Sequence, residues 1–293
     1  EMTAMTVQTT LEGRDGKQTI IGFDRPFVII GERINPTNRK VLSRQMEEGD
    51  MTLVRRDARR QVEAGAQVLD VNVGIPLGDE TTLMSQVVRV VLEEVDVPLC
   101  IDSPSAVAAE AGLKAFKEMG GKKALINSTT AEAERMDLFL PLAAEFGAAI
   151  IGLAHDEQGI DYEIDRRVES AAKIIDRAAE FGIPREDIII DCLTLTVGAN
   201  SQAGLVTLEA QCRVSTELGV NTTAGASNVA FGLPDRPTIN TAYLPLMMSR
   251  GLTTAITNPL EEHIRNIILA SDLLLGRDQH ARNWITAYKR RNA

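Results

Sequence analysis

Short apolar runs recur along the chain, each followed by a longer stretch whose apolar positions repeat at helical spacing beside charged faces. The runs are FVIIGERI from Phe27, VLDVNV from Val68, PLCID from Pro98, KALINS from Lys123, AAIIGLA from Ala148, DIIIDCL from Asp187, NTTAGASN from Asn221 and TTAITN from Thr253. Helices are predicted between them, for example over 83–95, 105–119, 161–181 and 261–275. Turns with glycine or proline, such as EMGGKK and EFGIPRED, end helices just before the next apolar run. Eight strand-then-helix units is the count of a (β/α)8 TIM barrel, whose usual ~250 residues leave room for an extension in a chain of 293. We therefore expect residues 1–25 to form an N-terminal extension, a small hairpin across the closed end, and residues 26–293 to form a single (β/α)8 domain. A doubly wound open sheet is the runner-up. It is disfavoured because no Gly-x-Gly-x-x-Gly follows an early strand and no Walker A sequence occurs.

Composition sharpens this picture. Hydrophobic residues make up 44% of the chain but aromatics only 4%, so the core must be built from Ala, Val, Ile and Leu, as in buried parallel strands. The net charge of −10 disfavours a nucleic-acid partner, which needs a basic field. Cys100, Cys192 and Cys212 show no CxxC spacing, and an odd count argues for reduced thiols inside a cell. The polar start has no basic segment followed by an apolar one, and the apolar stretch 138–154 is broken by Glu145 and Gly147. A cytoplasmic protein with no membrane partner is the expectation.

A barrel of this kind carries its chemistry at the C-terminal strand ends. Strand 1 should end in Glu32, Arg33 and Asn35, strand 2 in Asp70 and Asn72, strand 3 in Asp102, and strand 4 in Asn127. Strand 6 should end in Asp191, strand 7 in Ser227 and Asn228 with Arg236 soon after, and strand 8 in Asn258. Carboxylates accept paired N–H donors, and carboxamides both donate and accept. Together they suit a flat heterocycle with alternating amino, ring N–H and carbonyl groups, such as a pterin. Each Asp or Asn alone could equally be a turn or cap residue; several at successive strand ends weaken that reading. No metal is expected: His155 ends strand 5 alone, His263 and His280 lie in the C-terminal helical region, and no HxH or HExxH occurs. If Asp191 faces the pocket, Cys192 should face the helices. No G-x-S-x-G is present, so a protein nucleophile is not expected.

The segments IIGERINPTNRK, AGAQVLDVNVG, LCIDS, LINSTT, DIIIDCLTL and GASNVAFGLPDRPTINTAYL, in this order from Ile29 to Asn258, resemble the pterin-binding methyltransferases that pass a methyl group between methyltetrahydrofolate and a corrinoid protein. They look most similar to the stand-alone acetogen-type enzymes and to the folate domain of cobalamin-dependent methionine synthase. The resemblance implies a (β/α)8 barrel, often a homodimer, with tetrahydrofolate or 5-methyltetrahydrofolate as substrate. It implies that Asp102, Asn127 and Asp191 hydrogen-bond the pterin, that Asn228 lies near the methyl-bearing N5, and that Arg236 lies near the folate. Asp70 and Asn72 match a polar pair on the barrel floor or pterin edge, and Glu32, Ser227 and Ile256 complete the implied pocket. Asn228 and Asp102 are the implied catalytic pair. Phe231 stands where acetogen-type members carry a polar residue.

The implied reaction needs no nucleophile from the protein, because the cobalamin of a separate corrinoid protein supplies it; no DxHxxG cobalamin motif occurs here. The system served could be acetogenic, O-demethylating or methylotrophic, and the corrinoid partner should dock transiently. INPTNRK, GIPLGDE and VAFGLPDRP are candidate contacts, and Arg33, Arg39, Lys40 and Arg236 a candidate basic patch for the folate's glutamate tail. Leu273 to Leu275 and the basic stretch 289–291 could serve a dimer or be a plain helix face and solvated end. The alternatives are a folate-binding module without catalysis and a dihydropteroate-synthase-like enzyme. The latter should carry a Ser-x-His near the last strand, where this chain reads TTAITNPL.

Overall fold

The computed structural model describes residues 7–75, 78–160 and 162–291. The chain opens with β1 (Gln8–Glu12) and β2 (Gln18–Gly22), an antiparallel hairpin. There follow β3 (Val28–Ile34), α1 (Lys40–Glu47), α2 (Thr52–Glu63), β4 (Val68–Asn72), α3 (Glu80–Glu94), β5 (Leu99–Asp102), α4 (Ala106–Glu118), β6 (Leu125–Thr130) and α5 (Ala133–Phe146). The second half runs β7 (Ala149–Leu153), α6 (Ile164–Glu180), β8 (Ile188–Asp191), α7 (Ala203–Arg213), β9 (Asn221–Thr223), α8 (Arg236–Ser249), β10 (Thr254–Thr257), α9 (Glu262–Leu274) and α10 (Arg282–Arg291). Strands β10-β3-β4-β5-β6-β7-β8-β9 form one parallel sheet. Parallel bridges from Thr222 to Leu252 and from Gly225 to Ile256 bring β9 beside β10 and close the ring. The fold is a (β/α)8 TIM barrel.

Strand alternation sorts the apolar side chains into two layers. Val28, Ile30, Val68, Cys100, Leu125, Ala149, Ile151 and Ile189 fill the barrel. Their neighbours Ile29, Leu69, Ile101, Ile126, Ile150 and Ile190 face the helices. Local chemistry sets the helix ends: the Asp79 side chain accepts from Thr82 N at the start of α3, and Ser105 accepts from Ala108 N at the start of α4. Gly147, at φ 59°, ends α5 in the left-handed conformation that glycine takes without a Cβ clash. That glycine divides the stretch 138–154 into a helix end and a strand.

The hairpin lies across the N-terminal ends of the strands. Leu11 and Ile21, both fully buried, join the interior cluster from below; burial of such a side chain contributes about 1.5–3 kcal/mol. Asn221 at the base of β9 donates from Nδ2 to Thr9 Oγ1 at 3.0 Å and to the Ile21 carbonyl at 3.1 Å. Thr19 Oγ1 donates to the Gln67 carbonyl at 3.0 Å.

The structure departs from the sequence expectations in detail. Two short helices, not one, follow β3, and a loop over 192–202 precedes α7. The helix expected from Asp161 begins at Ile164, and Asp161 itself lies outside the described residues, as do Pro76 and Leu77 of the candidate contact GIPLGDE and residues 1–6 of the extension. No helix among the described residues is long and apolar enough to cross a membrane.

Candidate active site

Four of the expected residues form one hydrogen-bonded cluster where β4 and β5 end; one of them, Asn127, lies within β6 and does not end it as expected. Register places Asn72 beside Asp102 and Asp102 beside Asn127. Asn72 Nδ2 donates to Asp102 Oδ2 at 2.9 Å, and Asn127 Nδ2 donates to Asp70 Oδ1 at 3.3 Å. Asp70 is 2% exposed, one layer below the half-buried Asp102. Burial pushes the Asp102 carboxyl up to about 6, with the Asn72 hydrogen bond opposing the rise. Burial pushes Asp70 further up, and the charge of Asp102 adds to it. Two carboxylates this close, out of bulk water, resist both being ionised at once.

Asp191 closes β8 on the opposite wall, in register with Leu153 and Thr223. Its Oδ1 accepts from Leu193 N at 2.7 Å, and the Gly225 N–H also supports it, yet burial still raises its pKa to about 6. Leu193 holds a left-handed φ of 61°, which a non-glycine residue adopts only when its surroundings enforce it. Arg167 of α6, 1% exposed, donates from Nη1 to the carbonyls of Cys192 at 2.6 Å and Leu193 at 2.9 Å, and Thr207 Oγ1 donates to the same Leu193 carbonyl at 3.2 Å. Cys192, as expected, turns outward into the helix-facing core, where burial raises its thiol pKa.

A second group gathers where β3 and β10 end and the chain leaves β9. Glu32, Ser227, Asn240, Asn258 and Glu261 line one small cleft. Asn258 Nδ2 donates to Glu261 Oε1 at 3.2 Å. Burial raises the Glu32 pKa; Arg33 opposes that rise and Glu261 adds to it. Arg236, at the start of α8, donates from Nη2 to the Ser227 carbonyl at 2.9 Å and lies 5.7 Å above the Phe231 ring. Arg236 Nε and Asn240 Oδ1 are buried with no partner among the described residues. Ile256, on β10, is half-buried and packs against the barrel interior between these groups.

One placement needs correction. Ser227 and Asn228 do not end a strand: β9 stops at Thr223, and both residues sit on a 3-10 turn over Ala226–Ala230. The strand is short because Gly225 breaks the extended run, and its carbonyl accepts from Asn228 N at 3.1 Å. The turn leaves the Asn228 side chain exposed, and among the described residues its carboxamide has no partner. His155 stands apart from both groups, with Nδ1 3.9 Å from Glu132 Oε1. A wide surface groove between α5 and α6, lined by Met136, Lys173 and Arg177 among others, shares no residue with the strand ends.

Sequence reasoning missed Arg167, Asn240 and Glu261. Asn240 stands four residues after Arg236, one helical turn along, a spacing that could have flagged it. Arg167 carries no such signal, since it reads as one half of an ordinary charged pair on an amphipathic helix.

The methylcorrinoid:tetrahydrofolate methyltransferase of Eubacterium limosum is 30% identical over 267 residues, covering 90% of this chain and 96% of that protein. The methionine synthase of Mycobacterium leprae is also 30% identical, over 248 residues; the match takes in 80% of this chain but only 20% of that much longer protein. Among solved structures, the dihydropteroate synthase of Xanthomonas albilineans in complex with 7,8-dihydropteroate superposes with a TM-score of 0.66 over 90% of this chain and 98% of that one; at 19% identity the likeness is one of fold. A model of the pterin binding enzymes matches residues 31–258, which run from β3 to the residue just past β10. The chain belongs to the pterin-binding enzyme family.

Proposed function

We propose that this chain is a methyltransferase moving a methyl group between N5 of tetrahydrofolate and the cobalt of a corrinoid carried by a separate protein, in an acetogenic, O-demethylating or methylotrophic system. The observation that carries the reading is the mouth itself: Asp and Asn side chains from β4, β5, β6 and β8 face one space, with the unengaged carboxamide of Asn228 on its rim. The Eubacterium limosum relative, matched along almost its whole length, bears the name of this reaction.

In this reading Asp102 and Asp191 accept from the amino and ring N–H groups of the pterin, and Asn127 both donates and accepts. Asp70 and Asn72 hold Asp102 and Asn127 in place through the bonds described above. Glu32, Ser227, Ile256 and Arg236 wall the side where N5 lies. The corrinoid supplies the nucleophile, so the chain's own work is positioning and electrostatic stabilisation. As the C–N bond breaks, N5 gains electron density and leaves well only if that density is met by a proton or hydrogen bond. The Asn228 carboxamide donates there. A homodimer, a transiently docked corrinoid protein and a cytoplasmic setting belong to the same proposal; Leu274, 85% exposed at the end of α9, is an apolar surface suited to a second copy.

The test is equilibrium binding of methyltetrahydrofolate to the wild type, Asp102→Ala and Asp191→Ala, followed by mixing the wild type with free cob(I)alamin and recording the corrinoid spectrum. Binding lost in both variants, with methylcobalamin formed by the wild type, is expected. Saturable binding without methylcobalamin would make the protein a binding module, and absence of folate binding would overturn the reading.

A further inference from the structure

Of the four basic residues near the mouth, three are engaged or remote. Arg236 is tied to the Ser227 carbonyl and stacked over Phe231. Arg39 donates to the Arg33 carbonyl and, at 2.6 Å, to Asp57 Oδ2. Lys40 is exposed on the first turn of α1. Arg33 differs from all of them. The pairing of β3 with β4 slips between Gly31, opposite Leu69, and Ile34, opposite Val71, so that Glu32 and Arg33 together face Asp70 alone. This bulge re-aims two consecutive residues at the strand end. Gln61 Oε1 pins the Arg33 backbone N–H at 2.8 Å, and Arg39 pins its carbonyl. The backbone is therefore fixed, while the half-buried guanidinium has no hydrogen bond or ion pair among the described residues.

The charges around it do not remove that vacancy. Arg39 repels it, and Asp57, which could answer it, already accepts from Arg39 on one oxygen and from Arg56, at 2.8 Å, on the other. Glu32 and Glu261 act on it through charge alone, with no bond to it among the described residues. Burial and the Arg39 charge accordingly press its pKa down. A fixed, partly desolvated guanidinium held beside a second cation is poorly compensated by the chain alone. An anion with two oxygens in a plane would complete it through a forked pair of hydrogen bonds.

We infer that Arg33 anchors a carboxylate at the far end of the folate tail, that of the glutamyl group. The inference rests on the pterin reading above. With the pyrimidine edge held by β5, β6 and β8, the opposite edge bears N5 and the carbon from which the tail departs, on the Asn228 side. From there β10 and then β3 are the next strands around the ring, so the tail leaves toward Arg33.

The experiment is calorimetric binding at fixed ionic strength with three probes. These are 6-methyltetrahydropterin, which has no tail, tetrahydropteroate, which ends at the benzoate, and tetrahydrofolate, which adds the glutamate. The wild type should bind tetrahydrofolate most tightly. Arg33→Gln should lower that affinity about tenfold and change the other two by less than about twofold. Arg33→Lys, which keeps the charge but loses the fork, should fall between and serves if the glutamine variant melts early. Loss of 6-methyltetrahydropterin and tetrahydrofolate in equal proportion, loss of neither, or equal loss with tetrahydropteroate would overturn the glutamate assignment. So would a wild type that binds 6-methyltetrahydropterin as tightly as tetrahydrofolate, although the pterin reading would then stand. A wild type that binds none of the three overturns both.

Discussion

Asp102→Asn is expected to make the protein more stable at pH 8 while removing most of its affinity for a pterin. Burial has lifted the Asp102 pKa from 3.8 to about 6. A carboxyl that holds its proton more tightly when folded than when unfolded costs nothing at low pH. It subtracts stability as pH rises from the unfolded value to the folded one. At about 1.4 kcal/mol per pH unit the interval amounts to roughly 3 kcal/mol, which water reaching the half-buried side chain trims to about 1–3 kcal/mol. Asparagine is uncharged in both states, keeps an oxygen for the Asn72 amide now 2.9 Å from Asp102, and turns an N–H toward Asp70 in place of a second negative charge. Urea unfolding of the two proteins at pH 4, 6 and 8 should give nearly equal stabilities at pH 4. By pH 8 they should separate by about 1–3 kcal/mol in favour of the variant. A variant equal to or weaker than the wild type at pH 8 would refute the claim that this carboxylate is held at a cost. Calorimetry on the same samples should show pterin affinity lost, because asparagine sets an NH2 donor where the carboxylate has its second oxygen and so cannot accept side by side from the amino and ring N–H groups.

Three further outcomes follow from the same geometry. Pterin affinity should fall below pH about 6 as Asp102 and Asp191 take up protons; a titration flat from pH 5 to 8 would remove ionised carboxylates from the recognition. Asn228→Ala should slow methyl transfer by about 10²–10³-fold and change folate affinity by only about threefold, and equal losses in both would take Asn228 away from N5. Arg167→Met leaves the buried Cys192 carbonyl and the partly buried Leu193 carbonyl without their cation and should cost about 2–4 kcal/mol in urea unfolding. It should also raise the pH midpoint of pterin binding by loosening the Leu193 N–H from Asp191; an unchanged midpoint in a folded variant would make Arg167 purely structural.

What was legible in the sequence depended on how local its cause was. IIIDC and LCID could be read as strands with an inward carboxylate because period-2 alternation fixes which face each residue takes, and Cys192 accordingly lies in the outer core. The positions of Asp102 and Asp191 at strand ends follow from the same rule, whereas Asn127, expected to end its strand, faces inward partway along β6, which runs on to Thr130. Asn228 was harder to place, because NTTAGASN looks like a continuous run and only the turn at Gly225 shows that the strand ends five residues before it. Arg167 was invisible. Its importance arises from a loop 25 residues later that folds back over it, and amphipathic spacing cannot distinguish a buried cation from a solvated one.

The floor of the barrel also bears on how the molecule is made. Thr9 is tied to Asn221 across 212 residues, and Phe27 N to Asp272 Oδ2 across 245. β3, the first strand of the ring, must wait for β10, the last, before its free edge is covered. Contacts of such separation form late, after most of the loop entropy has been lost. During synthesis the early strands and the apolar face of the hairpin, Leu11 and Ile21, therefore stay without their final partners until residue 257 has emerged. The vulnerable period for aggregation is accordingly set by the time to translate from the hairpin to β10, and substitutions that add charge to the hairpin's inward face should reduce yield more through this delay than through any effect on the finished mouth.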